Sequence, residues 1–375
     1  MTRSKSATRA APRRREILLA GLAVLGLGPI ALAESNQFQL FSSTAVLDAS
    51  TEVAAAQLGL GQCCAERIGG KKPDDAYDLD LRFPAHSTTP TIELPSPTHL
   101  SPQPKVFWIT TISVMAIAGS AYNSFGDGPN QKYHFTNEGW FGQNTYAGGG
   151  DKASHIASFY SVARLLTSVY GALDAPSPQS YQLGSLIAAA AGLTTELGDG
   201  STKYGFSYED LIMDTAGAGA AYFFTRYQLN DLMGFRAGIV PAPEIPPCCI
   251  VNGLGKDYSA EIYTFDLKFA GLAKRLDRRF GLARFLLAGA TYSAKGYPDA
   301  QPQYQERQLG FEVGLNLAEI ARAAGVPEDR WWGNILITIL DFVRLPYTAV
   351  VFPYDLNHNQ WKKPTTGGTN AFPYQ

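Results

Sequence analysis

The chain is poor in several residue types, and each shortage limits what the protein can be. Its 375 residues include only 4 Cys, 4 Met, 5 Trp and 5 His, and 17% of them are charged. So few charges exclude a coiled coil and a long acidic or basic tail. The formal net charge is −2, which gives no electrostatic reason to bind nucleic acid, and no nucleic-acid partner is predicted.

The common catalytic motifs are missing as well. The sequence contains no P-loop, no G-x-G-x-x-G fingerprint, no H-E-x-x-H zinc motif and no G-x-S-x-G nucleophile elbow. The usual forms of nucleotide binding, zinc proteolysis and serine hydrolysis are therefore not predicted. Hydrophobic residues make up 45% of the chain, enough to bury a core, so a wholly disordered chain is also excluded.

The first 33 residues predict export. They carry six Arg or Lys against Glu16, which gives +6 − 1 = +5, and an uncharged run over 17–33 ends in Ala31-Leu32-Ala33. A basic start, a short apolar run and a small-x-small end are typical of a signal peptide, cut here before Glu34. The competing interpretation is an uncleaved anchor, because the run just reaches the length of a membrane span. The predicted location is the periplasm or outer membrane of a Gram-negative bacterium.

The cysteines form two adjacent pairs, Cys63-Cys64 and Cys248-Cys249. Four cysteines in an exported chain predict disulfides. Neighbouring cysteines rarely bond each other because the peptide between them is strained, so crosslinks between the pairs are favoured. Reduced thiols remain the alternative, and a four-cysteine metal site is disfavoured because vicinal ligands crowd a tetrahedron.

Four regions follow from the composition along the chain. Residues 1–33 are the predicted signal peptide, 34–105 a linker or strap rich in Pro, Ser and Thr, 106–240 a helical domain, and 241–375 an antiparallel β region with a C-terminal tail. The predicted fold class is α+β, with a small-residue-rich helical core followed by an antiparallel sheet or partial barrel.

Helical patterning is predicted in four stretches, which are 106–122, 151–170, 181–197 and 207–232. The first carries no charge and is either a buried helix or a marginal membrane span. Alternation predicts strands in three stretches, which are 258–272, 283–297 and 308–317. Two further stretches, 335–340 and 348–352, are interpreted as additional strands or short apolar segments.

Polar residues on three of the predicted helices could meet at one site. Asp151 and His155 are one helical turn apart, and Asp210 and Asp214 have the same spacing. If the helices pack together, an imidazole and several carboxylates converge, which would suit a general base or a divalent metal. The candidate catalytic residues are Asp151, His155, Glu196, Asp199 and Asp210. The candidate binding residues are Lys152, His134, Ser207 and Asp214. The metal and the cofactor are left open.

Most of these residues also have a purely structural interpretation. Asp151 could cap a helix, Asp210 could belong to a capping box with Ser207, and Asp199 could shape a glycine turn. His155 could be a hydrogen-bonded core histidine. Asp214 is different, because it lies past the first turn of an apolar helix and needs a partner if buried, which Lys152 or His155 could supply.

Three separated motifs carry a family resemblance: G-G-D-K-A-S-H at 149–155, E-L-G-D-G at 196–200 and G-F-S-Y-E-D at 205–210 followed by Gly217. In this order they resemble the YfiM-like family of predicted periplasmic lipoproteins of unknown function. The likeness extends to 133–140 upstream and 256–258 downstream. A fainter similarity runs to VanZ-like membrane proteins. This chain has Asp214 where both families usually have Asn, and it lacks the lipoprotein cysteine.

The resemblance implies an envelope location and no particular reaction. Two functions are therefore expected as alternatives. The first is a non-catalytic, membrane-associated protein that binds lipid or an envelope protein partner, motivated by the small-residue stretch 188–192 and the alternating strands. The second is a metal- or His-dependent hydrolase acting on a lipid or cell-wall precursor.

Overall fold

The computed structural model describes residues 104–125, 128–239, 258–297 and 304–366. The predicted signal peptide, nearly all of the predicted linker and the disulfide candidates Cys63, Cys64, Cys248 and Cys249 lie outside these residues. Those interpretations stay predictions.

Four long helices form the first half of the described fold. They are α1 (Pro104–Phe125), α2 (Gly150–Ala172), α3 (Ser177–Asp199) and α4 (Tyr208–Arg226). Helix α2 packs against both α3 and α4, and α1 packs against α3. All four predicted helices are present. Helix α4 ends earlier than residue 232, because Gln228 takes a left-handed conformation with φ of 53° and the chain then enters a strand.

Eight strands and three short helices complete the described architecture. The strands are β1 (Phe135–Thr136), β2 (Phe206–Ser207), β3 (Met233–Ile239), β4 (Glu261–Lys268), β5 (Leu286–Lys295), β6 (Glu306–Leu315), β7 (Ala349–Asp355) and β8 (Gln360–Trp361). The short helices are α5 (Phe269–Arg275), α6 (Leu317–Ala323) and α7 (Trp331–Phe342). Strands β1 and β2 pair in parallel, and β3 to β8 form one antiparallel sheet in chain order. The α+β prediction is confirmed.

One predicted strand is a helix, and one strand was not predicted. The apolar stretch 335–340 is not a strand but part of helix α7, where Ile335 and Ile337 are buried against the helical core. Its residues are apolar without alternation, a pattern that fits a buried helix as well as a strand. Strand β3 was missed because it lies within the stretch assigned to the helical domain. It pairs with β4 over its full length.

The sheet is strongly curled, and its inner face is polar. Arg236 of β3 is paired with Asp266 of β4 and reaches Glu312 of β6, and all three side chains are fully buried. Ile262 of β4 packs on Val351 of β7. In a flat sheet those two strands would lie about 14 Å apart, so short side chains can touch only because the sheet curls. The strand order is open, with β3 and β8 as its edges, and the sheet is not a closed barrel.

The convex side of the sheet is apolar, and it is covered over only part of its width. Helix α2 covers β3 and β4, where the ring of Phe235 makes a T-shaped contact with the ring of Tyr160 and Tyr263 packs on Ala157. Over β6 to β8 the same side is half exposed. We call this region the outer apolar face, and its residues are Leu309, Phe311, Val313, Leu315, Val350, Phe352, Tyr354 and Trp361.

Helix α1 is attached along one side only. Ser113 is hydrogen-bonded to the hydroxyl of Tyr170 at 2.7 Å, and Ser120 donates to the carbonyl of Ala191 at 2.8 Å. The helix is long and apolar enough to cross a membrane, yet only 11% of that stretch is buried inside the fold. Its inner side joins the core, where Ile112 packs with Leu165 and Leu166, while Phe107 and Val114 on its other side are both 59% exposed. Both expectations for 106–122, a buried helix and a marginal membrane span, stay predictions.

Candidate functional site

A glycine run sets the start of α2 and buries its first turn. Gly149 precedes the helix with φ of 87°, a conformation that side chains rarely adopt. A β-carbon on Gly150 would lie 3.0 Å from Tyr258 and 3.1 Å from Ala294. The backbone can approach the sheet this closely only without side chains. Asp151 is consequently held in the interior at the first turn of α2.

Ser207 joins the end of α3 to the start of α4. Its hydroxyl caps α4 by accepting a hydrogen bond from the backbone N–H of Asp210 at 3.3 Å, as the sequence predicted. Its own backbone N–H donates to Oε2 of Glu196 at 3.0 Å. Two candidate carboxylates from different helices are thereby fixed near each other, while Ser207 itself acts as a cap.

Lys152 is the cationic centre of the site. Its side chain is 2% exposed, and its ammonium lies 2.7 Å from Oδ2 of Asp151, 2.7 Å from Oε2 of Glu138 and 2.5 Å from Oδ1 of Asp210. These acids come from α2, the preceding loop and α4. One ammonium therefore offsets part of the charge of three acids that could not otherwise be buried together.

His155 lies one turn further along α2 and contacts a second group of carboxylates. Its Nδ1 is 2.6 Å from Oδ1 of Asp214, and its Nε2 is 3.5 Å from Asp151 and 3.9 Å from Asp210. The imidazole is 18% exposed, whereas Asp214 is fully buried. Of the two partners that the sequence offered for a buried Asp214, Lys152 or His155, the structure shows His155.

Five carboxyl groups face only two basic side chains, and the pKa values reflect this imbalance. Burial raises the pKa of both Glu138 and Glu196 to about 9. Burial also raises the pKa of Asp210 and Asp214. Burial also opposes the charged form of Asp151, but the nearby His155 and Lys152 outweigh this effect and hold the pKa of Asp151 well below its usual value. The same balance raises the pKa values of Lys152 and His155.

One predicted site residue does not join this cluster. His134 lies just before β1, with Nδ1 3.1 Å from the carbonyl of Lys132, and no contact among the described residues brings it to the cluster. Asp199 ends α3, where its carbonyl accepts hydrogen bonds from the backbone N–H groups of Thr202 and Gly205. Burial raises the pKa of its carboxyl group to about 6, and the charge of His155 opposes that rise. Asp199 therefore lies within electrostatic reach of the cluster, although no ion pair among the described residues joins the two.

Sequence reasoning missed two members of the site. Glu138 pairs with Lys152, and the hydroxyl of Tyr258 donates to Oδ1 of Asp151. Both residues fall in the outer segments of the family resemblance, at 133–140 and 256–258, which was the one signal that could have found them. Neither residue lies at a helical spacing from Asp151 or His155, so periodicity gave no indication.

The cluster contains two sets of groups that could hold a metal ion. In each set one ligand atom per residue lies within 4.8 Å of the others, and the sets are Asp151, His155 and Asp210, and His155, Glu196 and Asp214. The imidazole belongs to both and faces carboxylates through both nitrogens. An Asp–His pair could also orient a general base, but the catalytic role of these residues stays a prediction.

Residues 137–226 match the model of a family described as predicted periplasmic lipoprotein (DUF2279). The matched stretch contains α2, α3, α4 and every residue of the cluster except Tyr258. It confirms the resemblance to predicted periplasmic lipoproteins of unknown function, and it agrees with an exported envelope location. It lends no support to the fainter likeness to VanZ-like proteins. No curated protein and no solved structure matches the chain.

Proposed function

We propose that this exported cell-envelope protein is a non-catalytic, membrane-associated protein whose outer apolar face contacts lipid. The observation that carries the proposal is the polarity of the sheet. Charged side chains such as Arg236 and Glu312 are fully buried on the inner side, while Phe311 and Trp361 on the outer side are 49% and 64% exposed. A sheet that faces water on one side normally has the opposite arrangement.

The outer apolar face is continuous and rich in aromatic rings. Phe311 stacks on Phe352 with ring centroids 4.7 Å apart, and Trp361 packs edge-on against Tyr354 at 5.2 Å. Contiguous apolar patches of this kind on an otherwise folded protein mark interaction sites. Covering the exposed half of one such side chain is favourable by about 1 kcal/mol, so the face as a whole could hold the protein at a bilayer.

Helix α1 offers a second apolar surface and supports the same proposal. Its free side exposes Phe107 and Val114, and its length and composition suit a bilayer. An envelope protein meets membranes on both sides of the periplasm, so lipid is the abundant apolar partner available to such surfaces.

The small-residue stretch of α3 does not contribute to this surface. Ala188 and Ala191 are buried, and Gly192 lies against Asp214 of α4. The small side chains serve close packing inside the bundle. These buried side chains are not available to a lipid or a protein partner, so the stretch 188–192 does not support membrane or partner binding.

The alternative, a metal- or His-dependent hydrolase, has less support from the geometry. Both nitrogens of His155 already face carboxylates, and Lys152 is saturated by three acids. A cavity of about 1130 Å³ lies elsewhere, where Arg164, Trp331 and Asp341 are among its lining residues. A hydrolytic site would need an open approach to the imidazole.

Vesicle binding tests the proposal. The full chain is mixed with sucrose-loaded vesicles of phosphatidylethanolamine and phosphatidylglycerol and sedimented, beside a Phe311→Asp/Leu315→Asp double variant. We expect the parent to pellet with the vesicles and the double variant to bind at least about 10-fold more weakly, because two charges would have to enter the interface.

The matched control is Leu186→Asp, which places a charge at an exposed leucine of α3 away from the sheet. It should bind like the parent, and circular dichroism should show all three proteins folded. Equal binding by the double variant and the parent would refute the proposal. A parent that forms dimers through this face and stays in the supernatant would refute it too.

A further inference from the structure

We infer that a divalent cation binds between α2, α3 and α4, held by His155, Glu196 and Asp214. Each helix supplies one ligand, and one ligand atom from each residue lies within 4.8 Å of the others. A bound cation with metal–ligand distances of about 2.0–2.2 Å holds its ligands about 3–3.5 Å apart. His155 and Asp214 are now joined by a hydrogen bond of 2.6 Å between Nδ1 and Oδ1, which bonds to the cation would replace.

An unpartnered oxygen points to the ligand. Oδ1 of Asp214 lies against His155, but Oδ2 is buried and accepts no hydrogen bond within the described residues. Buried carboxylate oxygens nearly always have partners, because an unsatisfied one loses the hydration it had in water. A cation beside this oxygen would supply the missing interaction.

The neighbouring acidic set already has its cation. The ammonium of Lys152 lies between Asp151 and Asp210, at 2.7 and 2.5 Å, which is the position a metal would take there. Among the described residues no lysine or arginine pairs with Glu196 or Asp214, and their one basic neighbour, His155, is itself a potential ligand. This second set is therefore the one whose cation would have to come from outside the chain.

The ligand types indicate which cations fit. One imidazole and two carboxylates form a mixed nitrogen and oxygen set, which suits Zn²⁺ or Mn²⁺ better than Ca²⁺ or Mg²⁺, whose sites use oxygen alone. The site is nearly closed to solvent, and its ligands come from three helices. The cation would therefore stabilise the packing of the three helices, as a structural metal does, without taking part in a reaction.

Metal titration of the stripped full chain tests the inference. The cysteines are first blocked so that thiolates cannot bind the probe, chelator is removed, and Zn²⁺ and then Mn²⁺ are titrated by calorimetry and by thermal unfolding. We expect saturable binding of one equivalent with a rise in Tm. Glu196→Gln and Asp214→Asn should each raise the Kd at least about 100-fold. Loss of a residue that only hydrogen-bonds to a ligand costs up to about 100-fold, and loss of a direct ligand should cost more.

Two control variants separate this site from other acids. Asp341→Asn alters a buried carboxylate of α7 that pairs with Lys268 and Arg164, and it should bind metal like the parent. Asp210→Asn alters the set that Lys152 occupies, and it should retain most of the affinity. If Asp214→Asn does not fold, Glu196→Gln decides alone.

Three outcomes would overturn the inference. The stripped parent could show no saturable binding and no thermal shift with either cation. A folded Glu196→Gln variant could bind as tightly as the parent. Binding could also depend on Asp210 and not on Glu196, which would place the cation in the other set.

Discussion

Two glycines of α4 differ in what surrounds them, and substituting each by alanine tests how α2 and α4 pack. A β-carbon at Gly217 would lie 2.3 Å from the carbonyl oxygen of Ile156 and 2.9 Å from the backbone nitrogen of Tyr160, both in α2. A β-carbon at Gly219 would meet nothing within 4 Å. The two positions share one helix, so the intrinsic effect of the substitution on the helix is matched.

The expected free energies have opposite signs. Alanine is favoured over glycine in a helix interior by about 1 kcal/mol, so Gly219→Ala should raise the free energy of unfolding by about 0.5–1 kcal/mol. Gly217→Ala gains the same propensity but overpacks the interface, which costs about 1–3 kcal/mol. Its neighbours are backbone atoms that cannot rotate away, so the upper end of that range applies. After the gain of about 1 kcal/mol in propensity, a net loss of about 2 kcal/mol is expected.

Equilibrium unfolding in urea, followed by far-ultraviolet circular dichroism, measures both values. The two variants should differ by about 3 kcal/mol at an unchanged m-value, because the area exposed on unfolding hardly changes. A Gly217→Ala protein as stable as the Gly219→Ala protein would refute the reasoning. It would mean that α2 and α4 can separate without loss, and that the polar cluster between them is not held by this contact.

Three further predictions concern the site. Lys152→Met should lower the free energy of unfolding by about 3–5 kcal/mol, because buried acids lose their cation, whereas the exposed Lys203→Met should change it by less than about 0.5 kcal/mol in the same urea titration. Ser207→Ala should lower it by about 1 kcal/mol through loss of the α4 cap, and a loss below the error of the titration would contradict that role. Because burial raises the pKa of Asp199 from 3.8 to about 6, the folded state holds the proton more tightly, so the contribution of Asp199 to stability should fall as the pH rises between these values and be constant above them. Glu138 and Glu196, whose pKa values are raised to about 9, extend the total decline to higher pH. Asp199→Asn should therefore make the decline in Tm shallower below about pH 6 and leave it unchanged above, and an unchanged slope below that pH would contradict the role of Asp199.

Much of the secondary structure could be predicted, because it depends on local spacing. The cap at Ser207 and the helical spacing of Asp151 and His155 follow from the backbone of a single helix, and the structure has both. The alternation over 308–317 likewise predicted β6. The ends of these elements were less certain: Leu317 lies in α6 and not in the strand, because the chain turns at Asn316.

Part of the site could also be predicted, since three motifs place acids at the helix ends that pack together. Which residues belong to the cluster could not be predicted. Asp199 lies three residues from Glu196 and its pKa responds to the charge of His155, yet among the described residues it makes no ion pair with the cluster. Glu138 joins from a loop that has no periodic pattern, carried there by the parallel pairing of β1 with β2 at Phe135 and Phe206.

The sequence by itself indicated the four long helices, the period of several strands and the expectation of export, because each depends on neighbouring residues alone. It could not determine which side of a strand faces inward. Alternation gives two faces, and only the curl of the sheet decided that Glu312 is enclosed with Arg236 while Phe311 is left outside. It also could not assign the partner of each buried charge, because those distances exist only after α2, α3 and α4 have packed.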